Sequence, residues 1–126
     1  MPVDYSFPQV YTAWDLWAVR ECDIVFVYIE KDNPSGIGLA LEVGYAKALG
    51  KTIIMVNEQQ DNRYTHIIEQ TADVVFTSFD DGVEFLRNLP HAPYKVYLSG
   101  GMRSGWQENM YKYAPNQHYF NPATKG

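Results

Sequence analysis

The chain has 126 residues, 46% of them apolar and 20% charged, a balance that fits one globular domain over residues 1–126 and excludes a disordered segment. A net charge of −5, with no run of Lys or Arg, excludes the basic stripe that polymeric nucleic acid requires, and no apolar stretch approaches the ~20 residues of a membrane span. The single cysteine, Cys22, leaves no disulfide framework and no thiolate metal cluster.

The first nine residues look irregular, and residues 10–21 read as a helix. Cys22 follows between Glu21 and Asp23, acids that raise a thiol pKa, and it reads as a small buried filler. Residues 23–29 (DIVFVYI) and 52–56 (TIIMV) are continuous β-branched and aromatic runs, the pattern of strands covered on both faces. Between them, residues 38–49 predict a helix ended by Gly50 at a C′ position. A short helix over 64–70 and a strand over 73–77 come next. Residues 80–88 predict a helix behind an Asp cap that stops before Pro90. Residues 94–99 form a further apolar strand, which runs into a Gly-rich turn (99–105) and a helix over 106–113. A last strand over 117–121 ends at Pro122.

Five strands separated by helices predict an α/β fold: a doubly wound five-stranded parallel sheet, flavodoxin- or Rossmann-like. Such sheets bind ligands outside the carboxyl ends of their strands, near the point where strand order reverses. The Gly-rich loops after Ile29 and Leu98 fall in that location. Ten Tyr, six Phe and three Trp suit a pocket for a planar ligand, a subunit interface or an ordinary aromatic core. His66, His91 and His118 have no metal-ligand spacing, and nothing calls for a cofactor. The N-terminus lacks a signal-peptide pattern, so the chain reads as cytoplasmic.

Three constellations carry chemistry. In residues 33–46, Gly36 and Gly38 open a helix whose N-terminal N–H groups favour anions. Glu42 lies about one turn inside, among Gly38, Leu39, Tyr45 and Ala46 on its helix face. It reads as a poised carboxylate nucleophile, or as an ordinary acid in a nucleotide-binding turn. In residues 97–105 (YLSGGMRSG), a strand feeds a Gly-rich loop that can cradle a phosphate or sugar, with Arg103 as a phosphate fork or a solvated side chain. In Trp14-Asp15-Leu16-Trp17, Asp15 is a carboxylate between two indoles. Two carboxylates in different environments are what glycosidic chemistry uses.

Together these segments resemble the nucleoside 2-deoxyribosyltransferase superfamily, which includes the 2′-deoxynucleoside 5′-phosphate N-hydrolases. Asp15-Leu16, Asp23 at a strand start, Gly38-x-x-x-Glu42-x-Gly44-Tyr45-Ala46 and Gly50-Lys51 carry the likeness, and residues 97–105 and Phe120-Asn121-Pro122 extend it. In that family the strand resembling Tyr97-Leu98 begins the chain. The sequence therefore reads as a circular permutation, with residues 94–122 moved from front to back and the strand order permuted accordingly. Alternatively, the last strand–helix–strand unit completes a neighbouring subunit.

The resemblance implies that Glu42 attacks the anomeric carbon, that Asp15 binds or protonates the departing base, and that Tyr97 holds Glu42 in line. It puts Gly36, Gly38, Gly100, Gly101, Arg103, Gly105 and Asn121 around the substrate. The family's transferases carry an Asp six residues before the nucleophile, where this chain has Gly36; Pro34-Ser35 resembles the hydrolase branch, in which a Ser contacts the 5′-phosphate. Thr65 and His66 lie in the segment that would complete a neighbouring subunit's site, which implies a homodimer or higher homo-oligomer with shared active sites. The expected partner is a small nucleoside or nucleotide. The expected function is hydrolysis of the N-glycosidic bond of a nucleoside 5′-monophosphate; base exchange and a catalytically inactive nucleotide-binding module are the alternatives.

Overall fold

A computed structural model describes residues 4, 6–33 and 36–125. In chain order the elements are α1 (Pro8–Glu21), β1 (Ile24–Ile29), α2 (Ile37–Ala48), β2 (Thr52–Asn57), α3 (Arg63–Glu69), β3 (Val74–Phe76), α4 (Phe79–Arg87), β4 (Lys95–Gly100), α5 (Trp106–Tyr113) and β5 (His118–Phe120). All of the expected elements form. The first helix starts earlier than the apolar pattern suggests, because Pro8 sits in its first turn, where a missing N–H costs nothing. The fourth helix is preceded by Ser78 rather than by an Asp cap; Asp80 and Asp81 lie in its first turn, near the positive end of the helix.

The five strands form one parallel sheet in the order β3-β2-β1-β4-β5. This is a doubly wound α/β fold, as the sequence predicts, and its order reverses between β1 and β4. If β4–α5–β5 were counted first, the same sheet would read 2-1-3-4-5, the flavodoxin order.

The central strands are buried because both faces are covered. On one face, Val25, Val27, Ile29, Ile53, Met55 and Tyr97 pack under α1 and α2 through Ala18, Val19, Leu39, Val43 and Ala46. On the other, Ile24, Phe26, Ile54, Val56, Val96 and Leu98 pack under α4 and α5 through Val83, Leu86, Trp106 and Met110. Alternate residues of each strand supply the two cores, as a side-chain period of two demands. Cys22 is buried in the first core, and that burial pushes its thiol up to about 11.

The turn after α2 sets the start of β2. Gly50 adopts φ +73°, its N–H donates to Lys47 O, and Lys51 N–H donates to Ala46 O. That pair of bonds is a Schellman cap, which satisfies the last carbonyls of the helix and reverses the chain.

Candidate active site

Because order reverses between β1 and β4, the loops after these strands part to opposite faces and leave a crevice at their carboxyl ends. On the α1/α2 side this crevice is a cavity of about 450 Å³, lined by Glu42, Asp15, Gly38, Gly100, Gly101 and Lys125, with Tyr11, Leu39, Met102 and Pro122 as apolar walls.

Each charged side chain is placed by a different element. Glu42 is in the second turn of α2, on the face that carries Leu39, Val43 and Ala46 into the core. Asp15 lies on α1, three and four residues before the buried pair Ala18 and Val19. Tyr97 and Ser99 lie two apart on β4, so both face the α1/α2 side, and both are fully buried.

Ser99 Oγ donates to Glu42 Oε1 at 2.8 Å. The Tyr97 hydroxyl feels both carboxylates, yet forms no hydrogen bond of full geometry with either. Its ionisation is strongly opposed, first by burial and then by the charges of Glu42 and Asp15, so it remains a neutral donor. Burial also pushes the Glu42 carboxyl up to about 7. The Ser99 hydrogen bond opposes that rise, the Asp15 charge adds to it, and Tyr97 and Lys125 oppose it. A carboxylate with that value, facing a cavity, is poised between its two protonation states at neutral pH.

Lys125 closes the site. Its Nζ lies 2.8 Å from Asp15 Oδ1, with 14% and 13% of the two side chains exposed. The ammonium also sits 4.9 Å from the ring centre of Trp14 and 5.9 Å from that of Tyr11. Both are cation–π distances.

The structure thus brings Glu42, Asp15, Tyr97, Gly38, Gly100 and Gly101 together. Gly100 lets the end of β4 pass close to β1 and Trp106: a Cβ there would lie 2.5 Å from the Tyr28 carbonyl oxygen. Ser35 lies outside the described residues. Gly36 caps α2 and lines a separate groove of about 1260 Å³ against α3. Arg103 is exposed and lines a third groove with Glu30 and Glu58 rather than the cavity. Gly105 caps α5 in a left-handed conformation.

Asn121 is buried, and it builds rather than lines the cavity. Its side-chain oxygen accepts Ala123 N–H at 2.9 Å, and its carbonyl accepts the N–H groups of Thr124 and Lys125. Thr65 is buried on α3, where its hydroxyl donates to Asn62 O and accepts from Asn57 Nδ2. His66 is exposed, with its ring nitrogens 3.2 Å from Glu69 Oε1 and 3.1 Å from Gln60 O.

Sequence reasoning missed Ser99 and Lys125. Ser99 had a signal, since it stands two residues after Tyr97 on a strand. Lys125 had none, being 110 positions from its partner.

A family model described as nucleoside 2-deoxyribosyltransferase matches residues 8–85, more than half of the chain. Glu42 and Asp15 fall inside the matched span, whereas Tyr97, Ser99 and Lys125 come from beyond it. No curated protein and no solved structure gives a significant match.

Proposed function

The chain belongs to the nucleoside 2-deoxyribosyltransferase family, and on that premise we propose that it hydrolyses the N-glycosidic bond of a nucleoside 5′-monophosphate through a glycosyl ester on Glu42. The observation that carries this reading is the partly buried Glu42 carboxylate, hydrogen-bonded by Ser99 and facing a cavity that it shares with a second carboxylate.

Glu42 attacks the anomeric carbon from the face opposite the base, the carbon–nitrogen bond breaks, and its electron pair leaves with the base. Ser99 fixes one carboxylate oxygen. Tyr97 supplies a neutral hydroxyl that favours the ionised nucleophile. Asp15, paired with Lys125, faces the same space and orients the departing base by accepting its hydrogen bonds. Water then attacks the anomeric carbon, the carbon–oxygen bond to Glu42 breaks to free its carboxylate, and the proton lost by the water goes to the released base. The phosphate reading rests on the Gly-rich stretch from Gly100 to Gly105, whose backbone N–H groups suit an anion.

A second reading, base exchange on an unphosphorylated nucleoside, is favoured by the position of Arg103, which faces an acidic groove instead of the cavity. One experiment separates the two. The protein is incubated with nucleosides and with their 5′-monophosphates, with and without an acceptor base, and products are resolved by chromatography. Free base from the monophosphate without acceptor supports hydrolysis; new nucleoside formed only with acceptor supports exchange. Absence of both from every substrate overturns the glycosidic reading.

A further inference from the structure

Two carboxylates in one small cavity repel, and the repulsion grows as water is excluded. Glu42 must nonetheless be ionised to act as a nucleophile. The charged and titratable groups that face it are Asp15 from α1, Tyr97 from β4 and Lys125 from the segment after β5. Among these described groups, only Lys125 brings positive charge.

We propose that Lys125 is a positioning residue of the active site, whose ammonium neutralises Asp15 so that Glu42 can hold a negative charge in the same cavity. The geometry is built, not incidental. The ion pair is 2.8 Å long and nearly closed off from water. The ammonium lies over the Trp14 and Tyr11 rings, which exclude solvent and favour a cation. The Lys125 backbone adopts φ +55°, uncommon for a side-chain-bearing residue, and its N–H is fastened at 2.8 Å to the carbonyl of the fully buried Asn121. Lys125 opposes, and Asp15 promotes, the upward push on Glu42. Lys125 therefore acts through Asp15 and through its field rather than on the reacting atoms.

This assignment rests on Glu42 being the nucleophile, so its test includes a measurement that needs no turnover. Carbon-detected NMR follows the Glu42 carboxyl through a pH titration without substrate, its signal identified by its loss in Glu42→Gln. In Lys125→Met the midpoint rises by about one pH unit, because Asp15 is left unscreened. Lys125→Arg keeps it near the wild-type value, and Asp15→Asn lowers it. Base release follows suit: at pH 7 the Lys125→Met protein is roughly fivefold slower, and the deficit closes by pH 9. Amide spectra report that each variant is folded. A midpoint unmoved by Lys125→Met, or moved equally by Lys125→Arg, overturns the proposal. Where the midpoint shifts as stated but no substrate releases base, Lys125 keeps its electrostatic role and the glycosidic reading fails.

Discussion

Two pockets flank the crevice between β1 and β4, and they draw on nearly the same side chains. The candidate site holds Glu42, Asp15, Tyr97, Ser99 and Lys125. The neighbouring groove, of about 370 Å³, is lined by Glu58, Glu30, Tyr28, Ser104 and Arg103. Both hold acids, a phenol, a hydroxyl and a cation; the groove adds Asp32, Lys31 and Asn33. In the groove the phenol is matched to its acid, since Tyr28 donates to Glu58 at 2.9 Å, and Ser104 donates to Glu30. Arg103 is open to solvent, and water screens these charges. In the site, Tyr97 is fully buried and lacks a complete hydrogen bond, and desolvation lifts Glu42 to about 7. Similar composition therefore leaves the two clusters different, because burial and not the kind of side chain lifts Glu42.

Substitutions can break this contrast, and the largest effect is expected at Glu42. Glu42→Gln removes the proposed nucleophile while keeping its shape, and base release should fall by at least about a thousandfold in a steady-state assay. The same change should raise stability at high pH. The folded-state value of Glu42 lies above its ordinary 4.5, so its contribution to stability is complete below about pH 4.5 and is lost as pH rises through about 7. At pH 8 the Glu42→Gln protein should be more stable than wild type by roughly 2–3 kcal/mol, about 5–10 °C in a thermal melt, and the gap should vanish near pH 4. A gap that persists at pH 4 would mean that the amide gains stability by packing rather than by loss of charge.

Smaller effects sharpen the comparison. Tyr97→Phe should slow turnover about ten- to a hundredfold with little change in KM. It should barely change the melting temperature, because the hydroxyl it removes makes no full hydrogen bond. Ser99→Ala removes a bond that opposes the rise at Glu42, so the acid limb of the pH–rate profile should move up by less than about one unit. Glu58→Gln, in the solvated groove, should leave base release within about twofold of wild type. A hundredfold loss there would move the active centre across the crevice.

Much of this was legible in the sequence, for local reasons. Residues 23–29 and 52–56 are apolar without a break, and only strands covered on both faces tolerate that. Gly50 marked the end of α2, and the structure shows why: only its left-handed turn lets Lys51 reach back to Ala46. Glu42, Asp15 and Tyr97 were singled out together, and the fold brings them together. What escaped depends on register and distance. Ser99 was read as the last strand residue and the first of the turn, with no role of its own, whereas β4 runs on to Gly100 and the Ser99 hydroxyl meets Glu42. Asn121 was expected beside the substrate but serves the turn that carries Lys125. Arg103 looked like a phosphate fork from spacing alone, but the direction of an exposed loop side chain follows from tertiary surroundings that no local pattern encodes.

The ion pair between Asp15 and Lys125 spans 110 positions of chain. Residues 1–100 supply both carboxylates and the phenol, but not the ammonium that balances them. The cavity gains its positive charge only because the segment after β5 folds back over α1. The charge balance of the site is thus a long-range property of the fold, fixed by the single contact that ties residue 125 to residue 15.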